Sequence, residues 1–150
     1  MNHDPAFALN EPQSRRIAAA LTILEKHLAA LRDALEHGVR QSRLVRYEDP
    51  IAPSEAQRLL PALHEAEHRL RQIADDLALP AGSESVRRSF LAALELDSIH
   101  LYECRPRGEL AGCGTLAPAT AAYLDREIEK LDAAVRTLIA LLQRKPPGAE

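Results

Sequence analysis

Tryptophan is absent from this 150-residue chain, and only five residues are aromatic: Phe7, Tyr47, Phe90, Tyr102 and Tyr123. So few rings leave little for base stacking, and any core must be aliphatic. Cysteine occurs twice, which excludes a disulfide framework. No uninterrupted apolar run is longer than Leu138 to Leu142, five residues and far short of the roughly 20 that a membrane span needs. The opening MNHDPAFALNEPQ lacks the basic and apolar regions of a secretory signal, so a cytoplasmic address is expected. Charge of one sign is missing too. Nineteen basic residues oppose 22 acidic ones, for a net −3, with no global pull toward nucleic acid or anionic lipid. There is no glycine-rich phosphate loop, no G-x-S-x-G and no C-x-x-C.

What is present is alanine and leucine, 26 and 24 residues. That is the composition of a helical protein. Residues 1–10 read as an N-terminal arm, 11–145 as a single helical domain and 146–150 as a tail. Asn10, with Gln13 three residues on, forms a capping box for a first helix. Ile17, Leu21, Leu24, Leu28, Leu31 and Leu35 then step by 4 and 3, an a/d seam. Gly38 takes the next seam position, where it weakens or ends the helix, which otherwise runs to about Val45. Pro50 and Pro53 make the following segment irregular.

Ser54 is the expected cap of a second helix, with the seam Leu59, Leu63, Ala66, Leu70, Ile73 and Leu77. Pro61 should kink that helix or delay its start, and Pro80 and Gly82 stop it. Ser83 or Ser85 caps a third helix, where Val86, Phe90, Leu94 and Leu101 share a rougher face ending by Pro106. A fourth begins at Thr115 or Ala117 with Pro118 in its first turn, and Pro146 and Pro147 end it. Its seam is Leu124, Ile128, Leu131, Val135, Leu138 and Leu142. Four such helices predict an all-α, mostly antiparallel four-helix bundle with a longer irregular connection between the first two.

Four constellations carry candidate chemistry. The string HEAEH, His64 to His68, matches the H-E-x-x-H zinc motif and holds the E-x-x-H spacing of di-iron bundles. With Leu63 at a and Ala66 at d, however, His64, Glu65 and His68 fall at the outer positions b, c and f. A solvated surface His pair is the expectation. Asp97, His100 and Cys104 follow at helical spacing on or beside the apolar face, a pattern that suits a transition metal. Otherwise Asp97 pairs with an Arg or His100, or caps a break near Leu96–Ser98. Cys113 stands between Gly112 and Gly114 ahead of the last helix, whose dipole would raise its thiolate fraction. Cys104, at the other edge of that loop, could resolve it. Arg40, Arg43 and Arg46 form an anion-binding candidate if the first helix continues, with Glu48 and Asp49 as local ion partners.

The expectation is therefore a non-catalytic interaction protein, an adaptor, accessory subunit or small oligomeric scaffold. It binds itself, as a homodimer, or another protein through helix faces, without a cofactor. The alternative is a redox or metal sensor built on Cys113, Cys104 and His100. The third is a nucleic-acid accessory protein built on Arg40–Arg46.

Overall fold

The computed structural model describes residues 7–144 and, among them, contains four α-helices and no strand. They are α1 (Glu11–His37), α2 (Pro53–Asp76), α3 (Val86–Glu103) and α4 (Pro118–Gln143), with a short 3₁₀ turn, Glu109–Cys113, before α4. Residues 1–6 of the expected arm, and Pro146 and Pro147 with the tail 146–150, lie outside the described residues. The chain divides into two compact units, residues 1–82 and 83–150. In the first α1 packs on α2, and in the second α3 packs on α4.

The helix ends follow the local chemistry; Gly38 settles one open alternative, and two expectations change. Asn10 and Gln13 do close a capping box: the Asn10 side chain accepts from Gln13 N–H at 2.9 Å, and Gln13 Oε1 accepts from Asn10 N–H at 3.0 Å. Gly38 stops α1 with φ +72°, a left-handed angle that favours glycine, while its N–H bonds to the Ala34 carbonyl. The helix therefore does not run on to Val45. The first change is the cap of α2. Ala52, not Ser54, holds that position, because Pro53 fits the first helical turn and Glu55 reaches back to Ala52 N–H at 3.0 Å. Secondly, α2 ends at Asp76, ahead of Pro80. Ala78 adopts φ +49° and Leu79 N–H returns to the Ala74 carbonyl. Ser85 caps α3 through Arg88 N–H, and Ala117 precedes Pro118 at the start of α4.

Pro61 sits inside α2, which neither starts late nor splits there. Its missing N–H leaves the Gln57 carbonyl without its helical donor, and the exposure of both residues lets water serve instead. Replacing Pro61 by Ala is expected to stabilise the protein by about 1–3 kcal/mol. The check is a higher urea midpoint, and an unchanged or lower one contradicts an interior proline in a continuous helix.

Each unit is closed by the same two rows of the heptad. The a positions Leu21, Leu28, Leu35, Leu94, Leu101, Ile128, Val135 and Leu142 are half-buried, and Leu63 and Leu70 are the two buried core residues at 3% and 8% exposure. The second row is e. Arg32, Glu67, Ser98, Arg105, Asp125, Asp132 and Ile139 are all half-buried there. Many of the apolar d positions point away. Leu24, Leu59, Ile73, Phe90, Leu131 and Leu138 are exposed, with Phe90 at 58% and Leu131 and Leu138 at 52% and 51%.

Candidate functional site

The e rows carry the polar contacts across each helix pair. In the first unit Arg32 grips Glu67 with two parallel bonds, Nε to Oε1 at 2.9 Å and Nη2 to Oε2 at 2.5 Å. Arg32 Nη1 also reaches Glu36 one turn on at 3.0 Å. The Glu67 bond raises the Arg32 pKa, and the Arg32 fork holds Glu67 below its ordinary 4.5. An open groove of about 310 Å³ runs beside this pair, floored by Leu28 and Leu70 and edged by Glu25 and Arg71. Its charges are of both signs and Arg32 is committed to carboxylates, so the groove is not an anion site.

The stability that Glu67 contributes is linked to pH. A carboxylate whose folded pKa is depressed stabilises above its unfolded value and loses that effect as pH falls through the folded one. Glu67→Gln is therefore expected to lower the urea midpoint at about pH 7, with the gap closing toward about pH 3. A gap that persists in acid contradicts the ion pair as its cause.

In the second unit the Ser98 hydroxyl donates to Asp132 Oδ1, and Arg105 donates to Asp125 Oδ1 from Nε at 3.0 Å and Nη2 at 2.7 Å. The Asp125 bond raises the Arg105 pKa. Arg87 Nη1 donates to the carbonyls of Leu142 at 2.9 Å and Arg144 at 3.3 Å, which closes the C-terminal end of α4. Partners descend α4 as they ascend α3, the order of a helical hairpin. None of these pairs stood out in the sequence. The signal that finds them is their shared register: Arg32, Glu67, Ser98, Arg105, Asp125 and Asp132 all fall at e, where interhelical polar pairs form.

The remaining candidates are dispersed. His64 and His68 are exposed on α2, and Glu65 pairs with Arg69 at 2.6 Å. Asp97, His100 and Cys104 were expected on or beside the apolar face, and all three are exposed. The reason is the phase of α3. Leu91, Leu94, Ser98 and Leu101 turn to α4, which leaves the Val86, Phe90 and Asp97 flank outside. No break occurs at Leu96–Ser98, since α3 is continuous. Among the described residues no three His, Cys, Asp or Glu side chains come together to hold a metal.

Cys113 stands in the loop ahead of α4. It ends the 3₁₀ turn, four residues before the Ala117 N-cap. Its Sγ contacts the Glu109 carbonyl at 3.9 Å. Both cysteines are free and exposed. A shallow cleft of about 440 Å³ adjoins the loop, lined by Gly112, Gly114, Thr115 and Leu116 among others. Neither Cys113 nor any ionisable side chain is among its lining residues.

Arg40, Arg43 and Arg46 lie in the non-helical 38–52 connection, not on an extension of α1. The expected ion pairs to Glu48 and Asp49 do not form, and none of the three has a carboxylate partner among the described residues. Asp49 takes φ +54°, an uncommon angle for a residue other than glycine, just ahead of Pro50.

The feature that remains is apolar. On α4, Leu131, Ala134, Leu138 and Leu141 recur at helical spacing and are all exposed. Phe90 and Val86 of α3, at 58% and 71%, flank the end of the hairpin where Arg87 meets Leu142. Among the described residues no helix is long and apolar enough to cross a membrane. The chain matches no protein-family profile, no curated protein and no solved structure.

Proposed function

We propose that this chain is a non-catalytic helical interaction protein whose working part is the row of apolar d positions left open by each helix pair. The observation that carries the reading is the exposure of Phe90, Leu131 and Leu138 in a heptad whose a and e rows are mostly half-buried. Monomers seldom leave such contiguous apolar patches to water. The occupant is a helix of like pattern, packed by the same ridges and grooves, and a second copy of this chain supplies one. Charged groups beside the row are engaged within their own helices, as with Arg136 and Asp132 at 2.8 Å, and form a polar rim. The product is an assembly, a small scaffold or accessory subunit, and no reaction.

Carbene footprinting at low and high protein concentration tests the surface. Labelling at Phe90, Leu131 and Leu138 is expected to fall as concentration rises. Ile99 is equally exposed on the outer side of α3, at 57%, and should label the same throughout. Equal labelling of the d row at every concentration overturns the reading.

A further inference from the structure

The connection between α1 and α2 carries a second surface that the helix-face reading does not use. It is a closed loop and not a slack linker. The Gln41 side chain binds the Tyr47 backbone twice: Nε2 donates to the Tyr47 carbonyl at 2.9 Å, and Oε1 accepts from Tyr47 N–H at 2.8 Å. Inside that clamp Ser42 and Val45 form a turn. Ser42 N–H donates to the Val45 carbonyl at 3.1 Å, and Val45 N–H donates to Ser42 Oγ at 3.0 Å. The excursion therefore has a tip, Arg43 and Leu44, with Arg40 and Arg46 just outside the clamp and the turn. Leu44 is 92% exposed, the most exposed of the large apolar side chains in the described residues.

Two costs are concentrated here. Three guanidinium groups stand within seven residues, and none has a carboxylate partner among the described residues. A leucine stands almost wholly in water at the apex of a loop that the chain closes with five hydrogen bonds. We infer that residues 40–47 are a docking loop for an acidic, aliphatic protein segment, whose carboxylates engage Arg40, Arg43 and Arg46 and whose apolar side chains cover Leu44. Carboxylates match the planar fork of arginine, and Arg and Tyr anchors among aliphatics are the composition of protein interfaces. A nucleic acid would meet the guanidinium groups with phosphate yet leave Leu44 without a partner, and Tyr47 is the loop's one stacking surface. An anionic bilayer would bring one continuous negative surface against Glu48 and Asp49, both exposed and close in sequence to the arginines, whereas a peptide can place its carboxylates at the arginines alone.

The test uses the full chain and fluorescence anisotropy. The probes are a set of labelled twelve-residue peptides of Glu and Leu at different spacings, with the same peptides carrying Gln in place of Glu as controls. At least one Glu/Leu peptide is expected to bind, more weakly as salt rises, with its Gln counterpart about tenfold weaker or worse. Arg43→Gln and Leu44→Ser should each weaken binding about fivefold or more, with the circular dichroism spectrum unchanged, since neither side chain bonds another of the described residues. Restoring the charge with Arg43→Lys should recover part of the affinity. The inference is overturned if no peptide binds, or if Arg43→Gln binds as the parent does. It is also overturned if oligo-dT, or vesicles of phosphatidylserine and phosphatidylcholine in equal parts, binds the loop more tightly than every peptide. Self-association through the d rows plays no part in these readings, so failure here leaves that account standing.

Discussion

Leu138→Glu is expected to take the protein apart into single chains while leaving its helices intact. Leu138 is 51% exposed at a d position of α4, so the change removes little from the α3–α4 packing and the hairpin should still fold. Its effect falls on whatever covers the row. A half-exposed Leu, Ile, Val or Phe still has roughly 1 kcal/mol to gain from burial. Val86, Phe90, Leu131, Leu138 and Leu141 on two copies together gain roughly 10 kcal/mol. That is the size of the freedom lost on association, about 4–15 kcal/mol, so the assembly has little to spare. A carboxylate placed in the centre of the row loses the leucine and adds a charge to be desolvated, and in a symmetric pair it does so twice. Association should weaken by at least a hundredfold, or about 2.7 kcal/mol, in sedimentation velocity. Ile99→Glu, on the outer side of α3, should leave it unchanged. If both variants associate as the parent does, the d row is not the interface.

The largest effect on folding belongs to α2. Leu63 and Leu70 are the only two buried hydrophobic residues among the described ones. Both stand at a positions of α2, which packs on α1. Leu63→Ala should cost about 2–5 kcal/mol and Leu70→Ala about as much, against a total stability of about 5–15 kcal/mol for an ordinary domain. Leu44→Ala removes the same atoms from water and should change stability by less than about 0.5 kcal/mol. Urea denaturation followed by circular dichroism compares the three. A loss at Leu63 no larger than that at Leu44 would mean that the α1–α2 contact does not hold the first unit together.

The helices were legible because their seams are regular. Six apolar residues in steps of 4 and 3 put α1, α2 and α4 in place, and Asn10 with Gln13 marked one end of α1 by capping chemistry alone. Two kinds of information were not local. The first is which half of a seam a neighbour covers. Leu94 and Asp97 are both in reach of an apolar face by spacing, and only the contact with α4 through Leu91, Ser98 and Leu101 turns Asp97 outward. The second is the competition between helix and loop after Gly38. Arg40, Arg43 and Arg46 have helical spacing and good helix propensity, yet the left-handed angle at Gly38 ends the helix and the Gln41–Tyr47 clamp gives the segment another conformation. The candidate surface was half visible. Leu131 and Leu138 belong to a recognised seam, but a seam names residues that seek cover without saying which find it. Exposure in the folded chain supplies that, at Phe90, Leu131 and Leu138.

Native mass spectrometry of the untagged protein, purified without reductant, tests the central claim most directly. The account predicts a dimer or higher multiple of the 16.5 kDa chain, with no added mass and with both thiols free. A single 16.5 kDa species at every concentration would contradict it. So would an assembly joined through Cys104 or Cys113, or one that holds together only around a bound metal.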